Sequence, residues 1–183
     1  MASDKRCGGG VEQGAVAQEE DLFRRSNYYQ TLNKHCLPKD TYPLPTSDDE
    51  SGRSVVIYSP VVCVIKDSQY QNLKDPFYCS VVANAAVRNP RLTQDNQYKY
   101  EEDEKTMRVR IEMIYKTGLI FKHDSLVLGA FGCGVFKNPA EKVAMMFKEC
   151  NQKYNRKFKK IGFAVLSDKS NTNYEIFNKV LNS

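Results

Sequence analysis

One segment of the chain passes directly from a strand through a glycine-rich loop to the start of a helix, and this order restricts the fold. Residues 126–128 are apolar, and three glycines follow within residues 129–136. Asn138 is a candidate N-cap, with Pro139 at the first helical position and Glu141 placed to complete a capping box. The N–H groups at such a helix start suit a phosphate or diphosphate, although tight strand-to-helix turns also use glycine without a ligand. The segment predicts a strand–loop–helix unit of an α/β protein.

Strands and helices alternate along the rest of the chain. The continuous apolar run over 161–166 is typical of a strand covered on both faces in a largely parallel sheet. We predict a layered α/β fold in one domain over residues 1–183. Further strands are predicted over 55–58 and 61–65, which form one strand or two because of Pro60, and over 77–83. Helices are predicted over 13–33, over 101–116 with Gly118 ending that helix, after Pro139, and from Thr172, which Glu175 helps to cap. The segments 36–53 and 84–97 are predicted to be irregular connections.

The hydrophobic residues make up 41% of the 183 residues and come in compact runs, which is typical of a folded domain with its own core. No run reaches the roughly 18 apolar residues that span a bilayer. The polar, glycine-rich N-terminal sequence also lacks the pattern of a signal peptide. We therefore expect a protein that does not act at membranes and that is intracellular, cytoplasmic or nuclear, rather than secreted.

The cysteines and the charge indicate the environment and the class of ligand. Six cysteines are scattered without a CxxC spacing beside only two histidines, which argues against a zinc site and favours reduced core residues over a disulfide framework. The net charge of +5 favours an anionic ligand without choosing among phosphates, nucleic acid and other polyanions. The densest basic group, residues 156–160, is interpreted as a solvated turn before a strand rather than a nucleic-acid patch.

A motif near the N-terminus combines three glycines with an amide and two carboxylates: Gly8, Gly9 and Gly10 are followed, after seven residues, by Gln18, Glu19 and Glu20. Glycine is used where another group must approach the main chain closely. Adjacent residues of a helix point about 100° apart, so one carboxylate can meet a reacting bond while the other holds a neighbouring group. The alternative interpretation is an exposed acidic pair early in a helix, where negative charge favours the helix dipole.

Together with three further blocks, this motif resembles the poly(ADP-ribose) glycohydrolase family, and in particular its bacterial-type branch. The family signature is three glycines, a short spacer and Gln-Glu-Glu, and it is complete here. The segment from Leu22 to Ser26 is also similar to the family. The further blocks are residues 58–61, 126–139 and 163–165, so the likeness extends over almost the whole chain in the right order.

The resemblance implies a macrodomain fold, with three α/β/α layers around a mixed, largely parallel sheet, and hydrolysis of the ribose–ribose O-glycosidic bonds of poly(ADP-ribose). Such a bond breaks through an oxocarbenium-like transition state, which needs an acid for the departing oxygen and then a base for water. By position in the motif, Glu20 would be that acid and base, Glu19 would hold ribose hydroxyls, and Gln18 would support both. The implied substrates are poly(ADP-ribose) or ADP-ribosylated proteins and the product is ADP-ribose, with no metal, no cofactor and no direct nucleic-acid binding.

The resemblance also assigns both glycine-rich loops to the substrate. The glycines from Gly8 to Gly10 would let the main chain touch the distal ribose and the diphosphate. Three residues of the later loop would cradle the diphosphate from the other side: Gly132, Cys133 and Gly134. Val135 and Phe136 would pack on the distal ribose and set the angle at which its C1″ meets Glu20.

The start of the chain departs from the family pattern. Only seven residues precede Gly8, with Cys7 where proline is common, so we expect a shortened N-terminus that lacks N-terminal strands of the family's sheet. Two hypotheses stay open. The intact Glu19 and Glu20 favour a minimal hydrolase, whereas the short start favours a non-catalytic or weakly active ADP-ribose-binding macrodomain. A third, a basic nucleic-acid binder, is supported by the net charge alone.

Overall fold

The computed structural model describes residues 2–32, 41–44, 55–166 and 172–183. The chain divides into two compact units, the first with described residues 2–32, 41–44 and 55–85, and the second with 86–166 and 172–183. After a 3-10 turn at Val11–Gln13, the elements in chain order are α1 (Gln18–Arg25), α2 (Tyr28–Thr31), β1 (Ile57–Lys66), β2 (Asn72–Ala83), α3 (Glu101–Ile120), β3 (Ser125–Leu128), α4 (Ala140–Lys153), β4 (Lys160–Phe163) and α5 (Asn173–Leu181).

The first unit packs α1 and α2 on a β-hairpin. Strands β1 and β2 are antiparallel, with Ile57 opposite Ala83 and Val62 opposite Cys79. The register shifts between Ser59 and Val62, so β1 continues past Pro60 as one strand, which is one of the two predicted alternatives. The core of this unit is formed by Ala2, Phe23, Tyr28, Leu32, Val62 and Ala83.

The single helix predicted over 13–33 is wrong, because tertiary hydrogen bonds interrupt it. Ser26 forms an antiparallel bridge with Val64 of β1. The next residue, Asn27, donates its N–H to Cys63 O at 3.0 Å and accepts the Cys63 N–H on its Oδ1 at 2.8 Å. Pairing with a strand far along the chain thus ends α1 at Arg25 despite a helical local pattern. Residue 33 and most of the predicted 36–53 connection lie outside the described residues.

The second unit pairs two parallel strands and packs three helices. Leu126 of β3 lies opposite Ile161 of β4, which confirms a parallel pair. Phe147 of α4 is the centre of an aromatic cluster, with ring centroids 5.2 Å from Phe163 and 6.3 Å from Phe177. A mixed α/β architecture is therefore observed, with one antiparallel and one parallel pair in the described residues, while a largely parallel three-layer sheet stays a prediction.

Gly118 does not end its helix, contrary to prediction. Helix α3 continues to Ile120, and Gly118 is buried inside it. A methyl group at this position would lie 3.0 Å from Leu126 Cδ2 and 3.1 Å from Phe158 Cε1. Glycine serves here to bring the helix close to its neighbours, a packing requirement that the local sequence does not reveal.

The last strand and the last helix also differ in detail from the predictions. β4 covers only Lys160–Phe163 and is partly exposed, and Leu166 is 81% exposed, so the prediction of a strand buried on both faces is wrong. Helix α5 follows Thr172 as predicted, but the Thr172 side chain makes no cap hydrogen bond. The predicted irregular connection over 84–97 is confirmed, apart from a single bridge between Leu92 and Tyr98.

The sequence also supports predictions for the basic group, the cysteines, metal sites and membrane spans. Residues 156–160 form the predicted turn into β4, with all four basic side chains exposed. The five described cysteines are free thiols. Over the described ranges, no helix is long and apolar enough to cross a bilayer, and no three metal-binding side chains cluster.

Candidate functional site

The Gln18-Glu19-Glu20 motif forms the first turn of α1, after Ala17 in an extended conformation. Glu19 and Glu20 are each only 7% exposed. The alternative interpretation of an exposed acidic pair is therefore wrong. Burying a carboxylate is costly unless hydrogen bonds replace its lost hydration, so the partners of these two side chains decide what they can do.

Glu20 is anchored by the main chain of the first glycine loop, defined here as residues 8–10. The N–H of Gly10 donates to Glu20 Oε1 at 2.9 Å. Gly9 has a φ of +54°, and a methyl group built on it would overlap Glu20 Oε1. Within the described residues, the other oxygen, Oε2, has no hydrogen-bond partner. The carboxylate is thus oriented through one oxygen, and the second remains available for proton transfer.

Glu19 is held more completely than its neighbour. Its Oε2 accepts the N–H of Ser3 at 2.6 Å, and its Oε1 accepts the N–H of Gly8 at 3.0 Å. Burial raises the pKa of Glu19 to about 7, although the two N–H donors oppose that shift. Both oxygens therefore hold the main chain in place, and a ribose hydroxyl would have to use their remaining lone pairs.

The three glycine N–H groups are all engaged inside the first unit. Those of Gly8 and Gly10 bind the two carboxylates, and that of Gly9 donates to Arg6 O at 3.2 Å. The predicted role of these glycines was to let the main chain touch the ribose and diphosphate. Their observed N–H partners show that the absence of side chains lets the backbone lie against Glu19 and Glu20, while the contact with ribose and diphosphate stays a prediction.

Two arginines that we did not predict as site residues fix the carbonyls of this segment. Arg6 Nε donates to Gly9 O at 2.6 Å. Arg24 Nη2 donates to Val11 O at 3.0 Å and to Ala15 O at 2.6 Å. Arg24 lies within the family-like segment after the motif, which was a usable signal, whereas nothing in the sequence pattern distinguished Arg6.

In the second glycine loop, defined as residues 129–136, most carbonyls accept hydrogen bonds, whereas several N–H groups have no acceptor among the described residues. Five of its carbonyls accept hydrogen bonds from nearby N–H groups: those of Gly129, Ala130, Gly132, Gly134 and Phe136. By contrast, four of its N–H groups have no acceptor within the part of the chain that the structure describes: those of Gly132, Gly134, Val135 and Phe136. A loop with main-chain donors left open in this way is suited to an anion.

Asn138 does not cap α4, which corrects the prediction. The residue before the helix is Pro139, and no side chain caps this terminus. The Asn138 side chain, only 4% exposed, instead donates through Nδ2 to Val87 O at 2.7 Å and to Gly132 O at 3.1 Å. Its Oδ1 accepts the hydroxyl of Tyr98 at 2.9 Å. This amide holds the second glycine loop through the Gly132 carbonyl. The sequence pattern predicted an N-cap and did not indicate that role.

The predicted substrate-binding side chains of the second loop have different surroundings. Val135 is 65% exposed and available to a ligand. Phe136 is 5% exposed, and the Arg88 guanidinium lies 4.3 Å from its ring centroid. Cys133 Sγ donates to Phe131 O at 3.6 Å, and burial raises the pKa of this thiol to about 12. Phe136 and Cys133 thus make contacts that stabilise the conformation of the loop.

The site residues fall into two groups, each built inside its own unit. The first unit brings together the glycines and carboxylates of the N-terminal motif, and the second unit assembles the loop from Gly132 to Phe136 on Asn138. One group supplies an oriented carboxylate and the other supplies unpaired main-chain donors.

Comparison with known proteins gives a family match and several similar structures. Residues 1–67 match the family described as microbial-type PARG, catalytic domain, where PARG is poly(ADP-ribose) glycohydrolase. The structure is similar to that of PARG from Deinococcus radiodurans in complex with ADP-ribose, with 28% sequence identity over 99% of this chain and 72% of that chain and a TM-score of 0.79. The predicted resemblance to bacterial-type poly(ADP-ribose) glycohydrolases is confirmed.

A second bacterial poly(ADP-ribose) glycohydrolase gives the same result. The enzyme from Thermomonospora curvata shares 29% identity over 98% of this chain and 65% of its own, with a TM-score of 0.81. Its structure with the inhibitor ADP-HPD gives 28% identity over 97% of this chain and 67% of that one, again with a TM-score of 0.81. The search of curated proteins by sequence gave no match.

Proposed function

We propose that this chain hydrolyses the ribose–ribose O-glycosidic bonds of poly(ADP-ribose) and releases ADP-ribose, with Glu20 as general acid and base. The observation that carries the proposal is the environment of Glu20, whose Oε1 is anchored by the Gly10 N–H while Oε2 has no partner in the described part of the chain. An anchored carboxyl group with one available oxygen can protonate the departing ribose oxygen and then take a proton from water.

The other motif residues take supporting roles in this proposal. Glu19 holds the first glycine loop through Ser3 and Gly8, and its remaining lone pairs would receive ribose hydroxyls. Gln18 precedes both carboxylates on α1 and would support their arrangement. The exposed Val135 would pack on the distal ribose, whereas the buried Phe136 would act through the shape of the loop.

The second glycine loop would bind the diphosphate. Its open N–H groups, those of Gly132, Gly134, Val135 and Phe136, can donate to phosphate oxygens without moving a side chain. This loop supports ADP-ribose binding whether or not Glu20 turns over substrate. A non-catalytic or weakly active ADP-ribose-binding macrodomain is therefore the second candidate function.

We also propose a domain architecture, substrates and a cellular location for this activity. The chain would form one macrodomain over residues 1–183, with three α/β/α layers and a mixed, largely parallel sheet. The likeness to bacterial PARG structures over 97–99% of the chain supports this arrangement. Its substrates would be poly(ADP-ribose) or ADP-ribosylated proteins inside the cell, in the cytoplasm or nucleus, without direct binding to nucleic acid or membranes.

The test compares the purified wild-type chain with Glu20→Gln. Gln keeps an oxygen for the Gly10 N–H but cannot transfer a proton as a carboxyl group does. We expect wild type to release ADP-ribose from the polymer, and Glu20→Gln to bind ADP-ribose with similar affinity by calorimetry but to release none. Glu12→Gln is the matched control, because Glu12 is an exposed carboxylate of the same unit, bonded to Tyr29.

The outcomes separate the two candidate functions. Binding of ADP-ribose by wild type without any cleavage of the polymer would leave only the binding module. If ADP-ribose neither binds in calorimetry nor raises the melting temperature of wild type, both candidates fail. Full activity of Glu20→Gln would remove the assigned role of Glu20 while leaving the hydrolase in place.

A further inference from the structure

A buried amide and a buried hydroxyl together support the second glycine loop. We propose that Asn138, supported by Tyr98, is a positioning residue that holds this loop ready for the diphosphate of the substrate. The inference rests on the proposed function and goes beyond it, because Asn138 itself does not touch the ligand. It acts through the carbonyl of Gly132.

The hydrogen bonds of Asn138 leave it one orientation. The two Nδ2 protons go to two carbonyls, Val87 O at 2.7 Å and Gly132 O at 3.1 Å, and Oδ1 accepts the Tyr98 hydroxyl at 2.9 Å. If the amide were flipped, Oδ1 would face two carbonyl oxygens and the Tyr98 hydroxyl would lose its acceptor. The two carbonyls therefore fix the orientation in which Asn138 donates to the loop, and Tyr98 supports it by donating to Oδ1.

The conformation of Gly132 depends on the same contact. Gly132 has a φ of +76°, in the left-handed region that favours glycine. A methyl group there would lie 2.7 Å from Asn138 Nδ2 and 2.5 Å from the Ala86 side chain. The Gly132 carbonyl also accepts the main-chain N–H of Asn138 at 3.0 Å. Two donors of one residue thus fix this peptide group in a loop with few side chains of its own.

The consequence concerns the N–H groups that remain open. In buried residues such as Gly132 and Phe136, a main-chain donor without a partner is costly, which favours rearrangement toward some internal acceptor. A glycine-rich loop could make such a rearrangement easily, and a ligand would then have to reverse it and order the loop on binding. By holding the Gly132 carbonyl, Asn138 keeps the loop in the open form before the ligand arrives.

This role predicts a loss in binding that exceeds any loss in the chemical step. We expect Asn138→Ala to raise the Kd for ADP-ribose and the KM for polymer about tenfold, the equivalent of about 1.4 kcal/mol of binding free energy, with kcat changed less than about threefold. Tyr98→Phe should raise the Kd and the KM by a smaller factor, since it keeps both amide donations to the carbonyls and removes only the hydrogen bond to Oδ1. Neither substitution adds a charge near the diphosphate.

The experiment measures the Kd by calorimetry, KM and kcat on polymer, the melting temperature, and amide hydrogen exchange over residues 130–137. Phe177→Leu is the matched control, because Phe177 is a buried core residue of α5 in the same unit. It should lower the melting temperature without altering the Kd or exchange in the loop. Tyr98→Phe preserves almost all of the packing, so it keeps the test decisive if Asn138→Ala does not fold.

Three results would overturn the inference. The first is unchanged affinity and unchanged loop exchange in both variants. The second is a rise in Kd no larger than that of Phe177→Leu at equal loss of melting temperature. The third is a fall in kcat with KM unaltered. A wild-type chain that neither binds ADP-ribose nor cleaves polymer would refute the proposed function instead, while loop exchange would still decide whether Asn138 orders the loop.

Discussion

The main chain of Gly9 lies directly against the carboxylate of Glu20. No side chain fits between them, since a methyl group on Gly9 would overlap Oε1 and lie 3.1 Å from the carboxyl carbon. The neighbouring Gly10 N–H donates to the same oxygen. The position of the proposed acid and base therefore depends on a backbone surface that only glycine can provide.

Gly9→Ala should disturb both stability and activity. Its left-handed conformation, with φ at +54°, costs an alanine about 1–2 kcal/mol, and overlap with Glu20 adds to this by displacing the carboxylate. The control is Gly14→Ala, which has a φ of +79° but nothing within 4 Å of the added methyl group. Gly14→Ala should lose only the unfolding free energy that the left-handed conformation costs, measured by urea unfolding. It should keep the glycohydrolase rate of wild type. Equal rates for the two variants would contradict the assigned role of Gly9.

Glu19 should make the stability of the chain depend on pH between its unfolded and folded pKa values. Burial raises the pKa of Glu19 from 4.5 to about 7, so the folded state binds a proton in this range that the unfolded state has released. The contribution of Glu19 to the free energy of unfolding is thus greatest below about pH 4.5 and falls as the pH rises through 7, by an amount on the order of 3 kcal/mol.

Unfolding in urea at several pH values measures this dependence. Glu19→Gln should flatten the decline between pH 4.5 and 7, even though it also loses one acceptor for the Ser3 and Gly8 N–H groups. Glu12→Gln should retain the decline of wild type. A decline that persists unchanged in Glu19→Gln would show that another group is responsible.

Replacing either of two adjacent arginines of α1 should have different effects on stability and turnover. Arg24 donates to the carbonyls of Val11 and Ala15, and hydrogen bonds from a charged donor contribute about 1.5–3 kcal/mol. Arg25 forms a partly exposed pair with Asp21 at 3.0 Å, a kind of contact worth about 0–1 kcal/mol, and its Nε donates to Lys66 O at a longer 3.3 Å. We expect Arg24→Ala to lower both the unfolding free energy and the turnover rate. Arg25→Ala, which loses its contacts with Asp21 and Lys66, should lower the unfolding free energy less and leave the turnover rate nearly unchanged. Thermal melts and polymer hydrolysis check this, and similar losses in both variants would count against it.

The sequence predicted elements whose signals are local and missed residues whose partners are distant. β3 and the loop after it follow from a short apolar run and closely spaced glycines. Ser26 and Asn27 instead leave their helix to bond with β1, more than thirty residues away, which no helical periodicity can indicate.

The same limit applied within the candidate site. The spacing of the glycines and carboxylates indicated that they belong together, and the structure brings them into contact, but the spacing did not reveal that the glycine N–H groups bind those carboxylates. Asn138 has the composition signal of an N-cap, and the tertiary structure uses its amide for Val87 and Gly132 instead. One side chain can satisfy either requirement, so the local signal alone could not distinguish them.

The Cys133 thiol also bears on how the second glycine loop withstands chemical damage. Because burial raises the pKa of this thiol to about 12, it is almost entirely protonated at neutral pH. Peroxides and alkylating agents react with thiolates, so they would modify Cys133 very slowly. The loop proposed to receive the diphosphate can therefore contain a cysteine and still keep its shape under oxidising conditions.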